Sequence, residues 1–325
     1  MEKIFVESLN SNIAVIWFVM AIIVLRKIIK KIPKKYYSFL WLLVGIRLFI
    51  PISIKSNFSL IPSVKFFNVN DLYGRRFEIN SGIKGLDDLI NSYISSNYYE
   101  GVTVPAGTMI EVFKILSIIW LIGILLLGVI SIVKYFSIYK KIQTAICLKD
   151  NVWQSEYVTA SFVFGLIKPK IYIPFNCNKG ELCYILSHEK AHIQAKDHWI
   201  KMCAYIILIF NWYNPFLWIA MKLFSEDIEM ACDERATEKM NIEEKKNYAK
   251  ALLNCNVSKK QLIFVEQLFF SRNIVKERIT KILNYDKPST IVVVFSIILC
   301  VLMALCFLTD PTSSIYSSTI FKLMG

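Results

Sequence analysis

The chain has 325 residues, 55% of them hydrophobic and only 19% charged, with a formal net charge of +13. That composition excludes an ordinary soluble globular domain and points to a membrane protein. The charge does not call for a nucleic acid, and no direct nucleic acid binding is expected. Its most concentrated basic run, Arg26, Lys27, Lys30, Lys31, Lys34 and Lys35, crowds at a membrane edge, where topology and anionic headgroups account for it.

In chain order, uncharged stretches at residues 8–25, 115–133 and 288–309 are each long enough to cross a hydrocarbon core of about 30 Å. A fourth, residues 36–54, is interrupted only by Arg47, read as a structural side chain that snorkels near the outer end. The first stretch lacks a basic N-terminus and a small-residue cleavage site, so it reads as a retained anchor rather than a signal peptide. The basic run after it places the N-terminus outside. The expected organisation is then two membrane helices in 1–54, an external segment 55–109, a third membrane helix 110–133, a cytoplasmic domain 134–287, a fourth helix 288–309 and a short external tail 310–325. Within the external segment, "GLDDLINSYISSNYYE" reads as an amphipathic helix. No cysteine lies in that segment, which fits reduced thiols rather than a disulfide framework.

All three histidines, His188, His192 and His198, fall within "LSHEKAHIQAKDH". His188, Glu189 and His192 form H-E-x-x-H. On a helix, positions i and i+4 share a face, so the two imidazoles can bind one Zn²⁺ while Glu189 reaches the metal-bound water. His198 lies off that face and reads as structural. A catalytic zinc also needs a third protein ligand and an open position.

Downstream, "FSEDIEMACDERA" (224–236) supplies acids in an apolar neighbourhood. Glu229 and Asp233 stand at i and i+4, so Glu229 can bind zinc while Asp233 supports a histidine. Glu226, Asp227 and Glu234 are rivals on spacing alone. Residues 202–221 between the two segments carry no charge, yet a single crossing there would separate His188 from Glu229 across the bilayer. The stretch is therefore expected to form two short helices joined at 211–215, where Pro215 cannot continue a helix.

These residues resemble the membrane zinc peptidases of β-lactam-responsive signalling, the BlaR/MecR antirepressor group. "SFVFGLIKPKIYIP", "LSHEKAHIQAKDH", "NPFLWIAMKLFSEDIEMACDERA", "YAKALL" and "ERITKIL" match its ordered blocks, and "WLLVGIRLFIP" is similar to its second membrane helix. The resemblance implies a mainly α membrane protein with about four transmembrane helices and an embedded cytoplasmic α+β zinc metallopeptidase domain of the gluzincin type. It implies one catalytic Zn²⁺ held by His188, His192 and Glu229, with Glu189 as general base and Asp233 in support. It also implies location in the bacterial cytoplasmic membrane, a cytoplasmic BlaI/MecI-type repressor as substrate, and self-cleavage, for which 267–278 is the candidate stretch.

Lys170, Ile171, Tyr172 and Ile173 of "KIYIP" read equally as an edge strand able to pair with an extended substrate and as an ordinary core strand that Pro174 ends. The chain carries no S-x-x-K serine motif after its last apolar stretch, so sensing falls to a separate membrane partner, ranked first because the segment 55–109 is small, to that segment itself, or to no sensor if the peptidase is unregulated. The bilayer and a homodimer complete the expected partners. Two other readings stay open: a housekeeping membrane protease like the heat-shock or prenyl-protein peptidases, and a non-catalytic membrane receptor.

Overall fold

The computed structural model describes residues 1–29, 32–49, 55–56, 59, 66–67, 84–98, 108–178, 180–258, 272–284 and 288–311. Among them, three helices are long and apolar enough to cross a membrane: α1 (Glu2–Ile28), α4 (Thr108–Ile142) and the last helix, α10 (Thr290–Leu308). These segments identify a membrane protein. α4 runs on without a break through Lys134 to Ile142, and Ser289 caps α10 by accepting from the amide of Val292.

The apolar stretch at 36–54 behaves differently. Its helix α2 (Lys34–Phe49) has 16 residues, about 24 Å, and buries Tyr37, Leu40, Trp41, Leu43 and Val44 against α1, α10 and a helix of the downstream domain. Residues 50–54 lie outside the described residues. Arg47 does not snorkel: it is buried and donates to the carbonyl of Leu308 at the end of α10. In the segment 55–109, α3 (Lys84–Tyr98) forms where the amphipathic pattern predicts it. Most of the rest of 55–109, the tail from 312 onward and the first five residues of the candidate self-cleavage stretch lie outside the described residues.

After α4 comes a four-stranded sheet of β2 (Ile146–Lys149), β3 (Val152–Ser155), β4 (Phe162–Phe164) and β5 (Lys170–Pro174), in the order β2-β3-β5-β4. A separate two-residue pair joins β1 (Lys55–Ser56) to β6 (Asp310–Pro311). The sheet order corrects the edge-strand expectation. Lys170, Ile171, Tyr172 and Ile173 belong to an interior strand, paired parallel to β3 and antiparallel to β4. The physical reason is legible in the side chains: Ile171, Tyr172 and Ile173 are all buried, and a continuous buried run marks a strand covered on both faces. The free edge on this side is β4.

The uncharged stretch at 202–221 is a helical hairpin. α6 (Asp197–Phe210) ends at a turn, and α7 (Pro215–Thr237) starts with Asn214 as N-cap, its side chain accepting from the amide of Phe216, and with Pro215 at the first helical position. The turn packs beside α1, where Asn12 donates to Asn211 (2.6 Å) and accepts from Asn214 (2.8 Å). Two further helices, α8 (Ile242–Ser258) and α9 (Arg272–Leu283), close over the lower half of α7.

Candidate metal centre

α5 (Leu182–Gln194) carries His188 and His192 one turn apart, and both are buried. Their Nε2 atoms lie 3.2 Å from each other. Glu229 from α7 meets them from the opposite wall, with Oε2 3.6 Å from His188 Nε2 and Oε1 3.6 Å from His192 Nε2. Lys196 makes this possible locally: its left-handed backbone (φ 58°) breaks α5 from α6 and folds Asp197 back onto the zinc-type helix. Asp197 Oδ2 then sits 2.7 Å from His192 Nδ1.

Those partners fix the tautomers. A carboxylate can only accept, so Asp197 holds the proton on His192 Nδ1 and leaves the Nε2 lone pair facing inward. His188 Nδ1 lies 2.9 Å from the Tyr248 hydroxyl and 3.3 Å from Asp233 Oδ1, and its Nε2 faces inward in the same way. Two inward ring nitrogens and a carboxylate turned toward one another in a buried space call for a shared positive charge, supplied by a proton or by a metal ion. The donor set, two imidazoles and one carboxylate, suits zinc with a fourth position left open.

A sulfur competes for the same description. The ligand atoms of His188, His192 and Cys232 lie within 4.8 Å of one another. Cys232 Sγ, however, donates to the His188 carbonyl (3.2 Å) and approaches His188 Nδ1 (3.5 Å), the nitrogen on the supporting side. Glu229 faces the Nε2 side, so Glu229 and Cys232 both stand as candidates beside the two histidines.

The rival acids separate by helix face. Asp227 is fully buried and accepts from Arg26 Nε (3.1 Å), Lys34 Nζ (2.9 Å) and Trp41 Nε1 (3.0 Å). Glu226 pairs with Arg26 (2.9 Å), and Glu234 accepts from the backbone amide of Lys34. None of the three joins the histidines. Asp233 does, and it is held in turn by Arg278 through Nε–Oδ2 (2.7 Å) and Nη2–Oδ1 (2.9 Å), with the Tyr248 hydroxyl donating to Oδ1 (2.9 Å).

Two cations flank Glu229: Lys201 Nζ lies 3.0 Å from Oε1 and Arg278 Nη1 3.1 Å from Oε2. Burial opposes the charged form of this carboxyl, yet Lys201, His192 and Arg278 hold it well below the usual carboxylate range. Burial likewise disfavours charge on His188 and His192, but the surrounding Cys232, Asp233, Glu229 and Asp197 draw both imidazoles well above their ordinary value. The pocket's field therefore favours positive charge at the inward nitrogens, where a metal ion would sit.

Glu189 is buried beside the two histidines, and its Oε1 accepts from the hydroxyl of Ser161 (2.8 Å), the residue before β4. His198 stays outside the cluster, with a buried Nδ1 that has no hydrogen-bond partner. The residues His188, Glu189, His192, Glu229 and Asp233 are thus together, whereas Lys170–Ile173 sit one strand away from the open edge.

Spacing alone did not find Asp197, Lys201, Ser161, Tyr248 or Arg278. A signal existed for four of them, since Ser161 opens "SFVFGLIKPKIYIP", Asp197 lies in "LSHEKAHIQAKDH", Tyr248 opens "YAKALL" and Arg278 lies in "ERITKIL"; only Lys201 falls outside the blocks. The chain is 23% identical over 260 residues to the methicillin resistance mecR1 proteins of Staphylococcus aureus and Staphylococcus epidermidis, covering 70% of this chain and 44% of each relative. It is 24% identical over 162 residues to the regulatory protein BlaR1 of Bacillus licheniformis, covering 46% of this chain and 27% of that relative. The chain thus spans less than half the length of the curated relatives it matches. The profile described as BlaR1 peptidase M56 matches residues 6–282. On that match, the chain belongs to the BlaR1 peptidase M56 family.

Proposed function

We propose that this protein is an integral-membrane zinc endopeptidase that transmits an antibiotic or cell-envelope signal by triggering proteolysis of a cytoplasmic BlaI/MecI-type repressor. The observation that carries the catalytic part is the convergence of two imidazole Nε2 atoms and one carboxylate, each buried and each held from behind by a fixed partner. The signalling part rests on the regulatory names of the relatives.

His188, His192 and Glu229 would hold the ion. When bound, zinc supplies a Lewis acid and an acidified water. Glu189, buried and next to His188 on α5, would serve as the general base, accepting a proton from water and passing it to the leaving amine. Ser161 orients Glu189 through its 2.8 Å hydrogen bond. Asp233 and Asp197 keep the two rings in the metal-binding tautomer. β4 offers the extended substrate its free edge, with Ser161 at the strand's start next to the base. The topology proposed is four crossings with the N-terminus outside and the peptidase domain cytoplasmic.

Purified wild type and Glu189→Ala in detergent test the reading. One equivalent of zinc in both, with repressor or self-cleavage fragments from wild type alone, is the expected result. Fragments from both proteins, or zinc in neither, would overturn it.

A further inference from the structure

Sheet and membrane helices meet at one place, and it is apolar. β4 runs along the inner end of α4: Phe162 shares a cluster with Ile138 and Ile142, and Phe164 stacks on Tyr135 at 5.2 Å. The strand therefore advances from Ile142 back toward the uncharged part of α4, which ends at Val133. Beyond Phe164 the chain turns at Gly165, whose φ of +107° suits glycine and where a Cβ would lie 2.9 Å from the Lys168 carbonyl. That turn presents Leu166 and Ile167 outward, with Ile167 88% exposed. A water-facing turn is ordinarily built from polar residues.

We propose that the β4–β5 turn inserts Leu166 and Ile167 into the lipid leaflet around the C-terminal end of α4, with Lys168 at the headgroups. Three observations fix the occupant as lipid. The turn is continuous with a membrane-crossing helix through the Tyr135–Phe164 stack. Trp199, itself partly exposed, donates its indole N–H to the Leu166 carbonyl (3.0 Å), so an interfacial type of side chain rims the same spot. The basic residues Lys140 and Lys141 follow on α4, matching the charge of an anionic headgroup layer. A protein partner would need none of these to coincide with the end of the apolar span.

The insertion goes beyond the peptidase assignment and does not depend on it. If that assignment holds, the seated turn fixes the open edge of β4 against the membrane, so substrate enters along the bilayer surface.

A photoreactive benzophenone side chain placed at position 167, and separately at 166, in the full chain tests the insertion without reference to activity. The protein is irradiated in nanodiscs of phosphatidylethanolamine and phosphatidylglycerol and weighed intact. Position 122 on the lipid-exposed face of α4 is the positive control. Position 157, in the exposed turn that follows β3, is the negative control. The expected result is phospholipid adducts at 166 or 167 in yield comparable to position 122, and none at 157. Absence of lipid adducts at both turn positions while 122 reacts, or adducts only with a second copy of the chain, would overturn the proposal.

Discussion

One helix carries two buried acidic clusters that do different jobs. On α7, Asp227 gathers Arg26, Lys34 and Trp41 from the membrane helices, whereas Glu229 and Asp233 gather the histidines, Lys201 and Arg278. At about 100° per residue, positions 227 and 229 point roughly 160° apart, while 229 and 233 differ by about 40° and 227 and 234 by about 20°. Two residues of spacing thus decide whether a carboxylate fastens α7 to the membrane helices or faces the metal-type cluster. The comparison teaches that acidity in an apolar segment is no functional signal by itself; the face is.

Breaking each cluster should give different failures. Arg278 is completely buried and neutralises both Asp233 and Glu229. Arg278→Met leaves the buried Asp233 without its arginine and the buried Glu229 with Lys201 alone, which costs about 3–5 kcal/mol of stability. The expected outcome is a large fall in the thermal midpoint in detergent together with loss of metal. A variant that melts like wild type would show that α9 is not anchored through this arginine.

Asp227→Asn sharpens the contrast from the other face. Arg26 retains Glu226, so only part of the charge balance is lost, and about 2–3 kcal/mol is expected from weakened bonds to Lys34 and Trp41. Zinc content should stay at wild-type level in whatever fraction remains folded. Loss of zinc at unchanged stability would mean the two faces are not separate.

Asp197→Asn acts on tautomer rather than on charge balance. The amide can turn its NH₂ toward His192 Nδ1 and stabilise the wrong ring tautomer, so metal affinity should drop about 10- to 100-fold. Competition with a chelator of known strength measures it, and an unchanged affinity would remove Asp197 from the support of His192.

How much of this could be read beforehand follows the same division. His188, Glu189 and His192 are local in sequence, and helix periodicity alone brings them together. Glu229 and Asp233 needed a second helix at the right rotation, and the spacing narrowed the choice without excluding Asp227 or Glu234. Arg278 and Tyr248 reach the cluster only because α8 and α9 fold back over α7, a tertiary event without a local pattern. The edge and interior readings of "KIYIP" stood level in the sequence because pairing order is not sequence order: β5 inserts between β3 and β4. The buried run Ile171–Tyr172–Ile173 was the available sign of an interior position.

The smallest effect separates the membrane-facing side of α7 by pH. Burial pushes the Glu234 carboxyl up to about 7 from an ordinary 4.5, against the opposing pull of the Lys34 backbone amide that donates to it. Below about 4.5 folded and unfolded chains both hold the proton. As pH rises from there the unfolded chain releases its proton first, so the native state loses stability until the folded carboxyl ionises near 7. Glu234→Gln removes that slope while leaving an oxygen to accept from Lys34. Its stability relative to wild type should therefore improve between pH 4.5 and 7 by about 1–2 kcal/mol, the shift being discounted for the residue's residual exposure. Denaturation of both proteins across that window measures the difference. A flat difference would mean that Glu234 ionises in the native state as freely as in water, and that the contact between α7 and the start of α2 is wetter than its burial suggests.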